Sequence, residues 1–389
     1  MRLILLFFSS LRLTVGCLIL SLGLVFIGTL AQVKIGLYLA QEIYFQSLFL
    51  YWSPTGGDFK IPVYPGGYLL GAVLLVNLIT AHAVRFKFSR KKLGIFVIHA
   101  GLILLFVGQF ATETLSTESF MAIGEGGSKN YSENARKSEL VVIDITEPTH
   151  DNVVAIPESL LGRRSEVTHS VLPFTLKIQS YNINSQPSAD DGKLNFSTTP
   201  LATKMNDRNI PSTRVEVMTK SGSKGVFDIS NWLTEENLAA DIRRVLGEKV
   251  PASAFLPASF QVDGHTYQLA MRPVRYYKPY TVELIAFAHD RYAGTDTAKN
   301  FSSQVRLIHP QTGEDREVKI FMNNPLRYQG ETYYQGGFFP GDDGTILQVV
   351  RNPSWLTPYL SCILVSAGLL IQFLSHLIAF LKKQRTATA

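Results

Sequence analysis

The segment that decides the fold is Leu93–Ala111, with the sequence LGIFVIHAGLILLFVGQFA. Its length meets the ~20 apolar residues that a helix needs to cross a bilayer. His99 is its one ionisable residue, and an ionisable group at membrane depth is costly, so by default it marks a functional site. Imidazole is also the commonest side-chain ligand for metals. The segment therefore predicts a membrane helix with a candidate ligand, the alternative being a histidine that bonds a carbonyl group of a neighbouring helix.

Three further segments are apolar enough to span a bilayer, at residues 13–31, 67–84 and 356–381. Basic residues lie before the first span, in the loop 85–92 and after the last span. The positive-inside bias therefore places both termini and this loop in the cytoplasm, and the large polar region outside. The net charge of +6 comes largely from these membrane anchors, so nucleic acid is not predicted as a partner.

The fold class that follows is an integral membrane protein with four transmembrane α-helices, three N-terminal and one C-terminal, and a large mainly-β extracytoplasmic domain. We divide the chain into a membrane region (1–112), a β-rich domain (113–355), and a final span with a short cytoplasmic tail (356–389). Residues 34–52 are rich in Tyr, Phe and Trp. They predict a helix lying at the outer interface, where amphipathic aromatic side chains collect.

The polar region contains short runs with alternating apolar residues, punctuated by Gly, Pro, Asn and Asp, which predict β-strands in a sandwich or open barrel. These runs are residues 139–145, 174–178, 214–218, 266–271, 282–286, 304–308 and 317–321. One helix is predicted near Thr234–Leu246, with Asn231 or Thr234 as its cap. Residues 124–128 (GEGGS) predict a flexible link, and Asp342-Asp343, flanked by glycines, predict a turn.

The third span carries glycines at positions 94, 101 and 108, and a spacing of seven residues places them on one helical stripe. His99 lies about 160° around the helix from Gly101. If the glycines pack against helices of this chain, His99 points the other way. It would then face a partner protein, a cofactor or a gap in the bundle.

Two more histidines lie near the predicted cytoplasmic ends of their spans, His82 in the second and His376 in the fourth. His99 lies about six residues, or ~9 Å, in from the same side. The three histidines therefore cluster in depth on three helices. We retain His82 and His376 as weaker ligand candidates, since interfacial histidines are common without a function.

The sequence gives no support for self-contained enzymatic chemistry. Its two cysteines, Cys17 and Cys362, lie in predicted spans, and the chain has no C-x-x-C or C-x-x-C-H motif. It also lacks a nucleophile elbow, a phosphate loop and the histidine spacing of metalloproteases. No catalytic residue is therefore predicted. The five histidines of the polar region are expected to be surface or hydrogen-bonded residues: His150, His169, His265, His289 and His309.

Several motifs resemble those of the ResB-type cytochrome c biogenesis proteins, which belong to the System II haem-attachment pathway. Four features carry the resemblance, together with smaller echoes at residues 172–174 and 301–303. They are the sequence GTLAQ at 28–32, His99-Ala100-Gly101 followed by Gly108, the late block NPLRYQG at 324–330 with YYQ at 333–335, and the order of three spans, external domain and closing span.

This resemblance implies a haem-handling protein of the bacterial cytoplasmic membrane. It implies that His99 matches the family's proposed haem-iron ligand in the third span, with haem b as the bound or transported substrate. The family's subunit works with a Trp-rich haem-binding membrane partner, which this chain would need because it has no Trp-rich segment. Together they would join haem to C-x-x-C-H apocytochrome c, with help from thiol-reducing proteins. The chain would thus be a non-self-sufficient subunit of a cytochrome c haem lyase or synthase.

Alternatives remain at this point. The chain could be a membrane-anchored sensor or assembly factor with an external β domain and no haem ligation of its own, or a transporter acting alone. The late block has two interpretations as well. Residues 324–335 could contact haem or the apocytochrome directly, or they could form a strand–turn–strand, with Gly330 in the turn, that locks the domain.

Overall fold

The computed structural model describes residues 2–53, 59–85, 89, 92–163, 165–204, 207–295, 298–339 and 341–388. The chain forms two compact units. The helical unit comprises residues 1–117, 203–205 and 351–389, and the β unit comprises residues 118–202 and 206–350.

Nine α-helices are found in the described residues, and four of them are long and apolar enough to cross a membrane: α2, α4, α5 and α9. This confirms the predicted arrangement of three N-terminal spans and one C-terminal span. The helices are α1 (Arg2–Phe8), α2 (Leu11–Ile35), α3 (Leu37–Ala40), α4 (Gly67–Val84), α5 (Leu93–Leu115), α6 (Glu158–Leu161), α7 (Asn231–Thr234), α8 (Glu236–Leu246) and α9 (Thr357–Thr388).

The strands are β1 (Phe49–Trp52), β2 (Ile61–Pro65), β3 (Thr117–Gly124), β4 (Ser128–Asp144), β5 (Asn152–Pro157), β6 (Glu166–Val167), β7 (Thr175–Asn182), β8 (Ser185–Asp190), β9 (Lys193–Thr198), β10 (Ser212–Thr219), β11 (Gly222–Ser230), β12 (Ala258–Val262), β13 (His265–Arg291), β14 (Ala298–His309), β15 (Glu314–Phe321), β16 (Leu326–Tyr328), β17 (Glu331–Phe338) and β18 (Gly344–Arg351). All seven predicted runs fall on strands. The predicted helix is α8, preceded by α7, although Ser230 rather than Asn231 or Thr234 caps the first of these turns.

The segment 34–52 is helical only in part. Helix α2 continues to Ile35, and α3 leads into a π-helical turn at Gln41–Phe45. The chain then becomes extended, and β1 pairs with β2 in an antiparallel hairpin. Aromatic residues favour strands when a partner strand is present, and the partner, Ile61–Pro65, lies too far along the chain for the composition of 34–52 to reveal it.

Helices α5 and α9 pack closely through the glycine stripe. Gly94, Gly101 and Gly108 are all buried. A Cβ atom added to Gly101 would lie 2.8 Å from Cγ2 of Val365, and one added to Gly94 would lie 2.8 Å from Cβ of Gln372. Small residues thus let the two helix backbones approach, which is the usual device for helix association in a bilayer.

Polar side chains on α4 support a break between α1 and α2. Asn77 donates from Nδ2 to the carbonyl oxygens of Phe8 (2.6 Å) and Ser10 (3.1 Å), and Thr80 donates to the Phe8 carbonyl at 2.9 Å. A helix end leaves carbonyl groups without intrahelical partners, and in an apolar environment these groups need partners from the protein. The side chains of α4 supply them.

Most strands of the β unit form one sheet in the order β15-β14-β13-β4-β3-β18-β17-β16. The two ends of this order, β15 and β16, are joined by a turn with a bridge between Phe321 and Asn324, and by a hydrogen bond of 2.6 Å from the Tyr328 hydroxyl to Glu314. The sheet is therefore nearly closed and barrel-like. Its interior contains the buried side chains of Tyr280, Leu284, Val305, Tyr333 and Leu347, among others.

Two long strands, β4 and β13, continue beyond the barrel. Their extensions pair with β5 and β12 and pack against a four-stranded sheet in the order β11-β10-β7-β6. The core between these sheets contains Leu140, Leu176, Val215 and Met271, all fully buried. The β unit thus combines the two architectures that the sequence left open, a barrel and a sandwich.

The structure differs from the prediction for one connection, residues 124–128, and agrees with it for another, Asp342-Asp343. Residues 124–128 are a tight turn between β3 and β4 rather than a flexible link, because Glu125 and Gly126 donate backbone hydrogen bonds to Asp343 (2.9 Å) and Leu284 (2.8 Å). Asp342 and Asp343 do lie in a turn, as predicted, between β17 and β18, where Gly341 and Asp342 both have positive φ.

Candidate functional site

The imidazole of His99 on α5 contacts the imidazole of His82 on α4. Nδ1 of His99 lies 3.0 Å from Nε2 of His82. The two rings meet edge to face, with centroids 4.7 Å apart and an interplanar angle of 86°. Two residues that the sequence placed at similar depth are thus brought into direct contact.

His82 is held at its second nitrogen by its own helix. Nδ1 lies 3.0 Å from the carbonyl oxygen of Leu78, one turn earlier in α4. The ring of Phe96, on α5, lies 6.3 Å from the His82 ring, centroid to centroid. His82 therefore has partners at both ring nitrogens, whereas Nε2 of His99 has no hydrogen-bond partner among the residues that the structure describes.

His99 lies on the side of α5 opposite the glycines, as their spacing predicted. The glycine stripe faces α9, and His99 lies on the other side of the helix. That side is occupied by a second helix of the same chain, so the neighbour of His99 is neither a gap nor a backbone carbonyl. The His99 side chain is half-buried.

His376 is not brought to this pair. It is exposed on α9, where its Nε2 lies 2.7 Å from Nε2 of Gln372, one turn earlier. Within the described part of the chain there is also no cluster of three or more His, Cys, Asp or Glu side chains that could hold a metal ion.

The late block has the predicted strand–turn–strand form. Strands β16 and β17 pair with Tyr328 opposite Glu331, which leaves Gln329 and Gly330 as a two-residue turn. Both turn residues have positive φ, 50° and 77°, as the tightest hairpin turns require. Gly adopts this conformation without a steric penalty, which explains the glycine at the second position.

The hairpin places a charged network inside the barrel. Nζ of Lys278 lies 2.5 Å from Oε1 of Glu331, and both side chains are largely buried (5% and 13% exposed). The Tyr280 and Tyr333 hydroxyls lie 2.9 and 3.0 Å from Oε2 of Glu331, and 2.7 Å from each other. Burial raises the pKa of both phenols, so they stay protonated and can donate to the carboxylate.

A second hydrogen-bond network joins residues 301–303 and 333–335, two of the segments that carry the family resemblance. Ser303 donates to Oε1 of Gln335 at 2.6 Å and lies 2.8 Å from Oγ1 of Thr345. Gln335 in turn donates from Nε2 to Thr345 (2.9 Å) and to the carbonyl oxygen of Gly337 (2.9 Å). Residues 301–303 and 333–335 thus meet in the barrel interior, and their polar groups have structural partners there.

The structure also shows a histidine site that the sequence did not distinguish. Nδ1 of His289 lies 2.9 Å from Oδ1 of Asp342, and its ring packs against Phe301 and Phe338, at centroid distances of 5.0 and 4.6 Å. Arg291 pairs with the other carboxylate oxygen of Asp342 at 2.7 Å. Nε2 of His289 is fully enclosed, with no hydrogen-bond partner among the described residues. No local pattern linked His289 to an aspartate so distant in sequence.

Comparison with known proteins gives two findings. A family model described as the ResB-like family matches residues 252–346, a range that contains both barrel networks and the late block. The chain is also 26% identical, over 303 residues, to Protein NrfI of Wolinella succinogenes, and the alignment covers 78% of this chain and 29% of that protein. The chain therefore spans less than a third of the length of this relative. These findings confirm the resemblance to the ResB-type proteins that the sequence motifs indicated.

Proposed function

We propose that the chain is a haem-handling subunit of a cytochrome c synthase. It positions or moves haem across the bacterial cytoplasmic membrane, where haem is attached to C-x-x-C-H apocytochromes. Both termini lie in the cytoplasm and the β unit lies outside, as the flanking basic residues favour. The chain binds haem as cargo and depends on a partner for the covalent step.

The observation that carries this proposal is the state of His99. It is an imidazole within an apolar membrane-spanning helix, half-buried, with one nitrogen bonded and Nε2 without a partner among the described residues. A neutral imidazole nitrogen is a normal axial ligand for haem iron. The donor available at this position therefore fits haem, and the iron would take its other axial ligand from another molecule.

The partners follow from what the chain contains. Its three tryptophans are far apart, at positions 52, 232 and 355, and we propose a Trp-rich haem-binding membrane protein as its partner. Apocytochrome c receives the haem, and thiol-reducing proteins keep its cysteines available. The β unit holds the apocytochrome or braces the partner. Its barrel networks are enclosed, so their contribution is to the shape of this domain.

The experiment is a visible spectrum of the chain, co-expressed with its Trp-rich partner and purified in detergent. Wild type is compared with His99→Ala and with His150→Ala, which removes an exposed imidazole of the β unit. We expect a reduced haem spectrum in wild type and in the His150 variant, and its loss or shift in the His99 variant. An unchanged spectrum in His99→Ala, at an equal yield of folded complex, would exclude His99 as the iron ligand and overturn the proposal.

A further inference from the structure

We infer that His82 is a positioning residue, which holds the His99 imidazole in the tautomer whose Nε2 carries no proton and thereby presents that atom to haem iron. The inference rests on the haem ligation by His99 proposed above. It assigns a separate function to His82, which the sequence had suggested only as a possible ligand.

The argument begins at the backbone of α4. Nδ1 of His82 lies 3.0 Å from the carbonyl oxygen of Leu78. A carbonyl oxygen can only accept a hydrogen bond, so Nδ1 of His82 must be the donor. The position of this proton is thus assigned from the hydrogen-bond network, as it must be for histidine.

The proton on His82 determines the proton on His99. His99 lies within a membrane-spanning helix, where a charged imidazolium is costly, and His82 is in direct contact with it, so both rings are taken as neutral, with one proton each. Nε2 of His82 is then an acceptor, and its partner at 3.0 Å is Nδ1 of His99, which must donate. The single proton of His99 is therefore on Nδ1, and its Nε2 has an unshared electron pair.

This arrangement is the one that a metal-ligating histidine needs. Such histidines usually donate their other N–H group to a fixed acceptor, which selects the tautomer, orients the ring and raises the basicity of the ligating nitrogen. The acceptor is often a carboxylate. An imidazole acceptor does the same without placing a charge in the apolar part of the protein, where a charge is costly.

The same contacts argue against His82 as an iron ligand. Its Nδ1 is engaged by the Leu78 carbonyl group and its Nε2 by His99. To bind iron, His82 would have to give up one of these contacts. His99 needs no such change, because its Nε2 has no partner among the described residues. The two histidines therefore have different expected mutant phenotypes.

The test uses the detergent-purified complex with the haem-binding partner, carrying His82→Ala, His82→Gln or His99→Ala. Haem content, the spectrum and the midpoint potential of the haem are measured for each. Ile79→Ala, which alters an exposed apolar residue on the same helix as His82, is the control for a general effect on α4.

We expect His82→Ala to keep the type of axial ligation but to bind haem about 10–100-fold more weakly, as is typical for loss of an outer partner of a ligand. Its midpoint potential should shift to more positive values, because His99 loses the acceptor that makes it a stronger donor to iron. The amide oxygen of Gln can accept from Nδ1 of His99, so His82→Gln should restore binding and potential in part. Ile79→Ala should match wild type.

The possible failures can be distinguished. If His99→Ala keeps the wild-type spectrum, the proposed function fails, and this inference fails with it. If His99→Ala loses haem while His82→Ala has wild-type affinity and potential, only the positioning role of His82 is excluded. If His82→Ala loses the ligation spectrum as His99→Ala does, and Gln gives no rescue, His82 is itself a ligand, and the inference is wrong.

Discussion

Two histidines, His99 in the helical unit and His289 in the β unit, each make a polar contact through Nδ1, but their surroundings differ. Each is held at Nδ1 by a residue from another part of the fold, His82 for one and Asp342 for the other. His289 is packed between phenylalanine rings, with 5% of its side chain exposed, whereas His99 is half-buried. A contact at Nδ1 alone therefore does not identify a histidine as part of a functional site. What distinguishes His99 is that its second nitrogen is not enclosed.

The same contrast holds for the polar networks of the two units. In the barrel, Glu331 is satisfied by a lysine and two tyrosine hydroxyls. Fully connected buried networks of this kind make a structure rigid and specific, and they become costly when one member is lost. The His82–His99 pair is smaller, and it ends in an atom without a partner. We therefore expect the barrel network to contribute to stability and the histidine pair to contribute to ligand binding.

The largest effect on stability is expected for Glu331→Ala. This change leaves Lys278 buried without a counter-charge and removes the acceptor for Tyr280 and Tyr333, and breaking a buried ion pair in this way costs about 3–5 kcal/mol. The measurement is the thermal unfolding of the detergent-solubilised chain, followed by the circular dichroism of its β unit. In the same assay, His99→Ala should change the stability by less than about 1 kcal/mol, because it removes a half-buried residue with one hydrogen bond.

A reversed order, with His99→Ala more destabilising than Glu331→Ala, would contradict the comparison. It would mean that the histidine pair stabilises the helical unit and that the barrel network tolerates an uncompensated lysine. Glu331→Gln is the matched control. It keeps an oxygen acceptor for the tyrosines and loses only the charge, so its effect should lie between those of wild type and the alanine variant.

A smaller effect is expected for Asp342→Gly, which tests whether His289 is held mainly by its carboxylate partner. Asp342 has a positive φ of 60°, which glycine adopts without strain, so the variant removes the carboxylate from His289 and from the exposed Arg291 without straining the turn. An enclosed N–H group left without an acceptor costs about 1–3 kcal/mol. Thermal unfolding should therefore show a loss of that size.

Asp342→Asn is the control for this experiment, since it keeps Oδ1 as an acceptor and tolerates positive φ. It should be closer to wild type than the glycine variant. If glycine and wild type unfold at the same temperature, the aromatic rings alone hold His289. In that case the contact at Nδ1 would no longer be a valid basis for comparing His289 with His99.

The difference between these sites also explains what the sequence could predict. The four spans follow from long apolar runs, and the expected depth of His82 and His99 follows from their distance in sequence to the basic segment 85–92. Direct contact between the two rings does not follow, because it depends on the rotation of α4 relative to α5. The glycine stripe indicated which side of α5 is closely packed, and therefore which side His99 avoids.

In the β unit, local signals were sufficient for strands and turns, and insufficient for pairing between distant segments. Gly330 and the Asp342 turn were predicted from their residue types, because positive φ has a local cause. The contacts of Ser303 with Gln335 and of His289 with Asp342 depend on the order of strands in the barrel. Strand β1 was missed for a similar reason, since its partner β2 lies outside the segment 34–52.

The smallest predicted effect concerns Glu158, a carboxylate in the sandwich part of the β unit whose pKa is raised by burial. Its Oε2 accepts from the backbone N–H group of Ser138 (3.1 Å) and from the Tyr181 hydroxyl (3.4 Å), and these bonds offset the rise only in part. The folded protein therefore binds this proton more tightly than the unfolded chain does. Between the unfolded and folded pKa values, the free energy of unfolding should fall as pH rises, and it should level off above that window.

Glu158→Gln removes this proton and keeps an acceptor for Ser138, so the melting temperature of the variant relative to wild type should increase through the same window. A constant difference would mean that Glu158 titrates alike in both states, and that its two hydrogen bonds fully offset the effect of burial on its pKa.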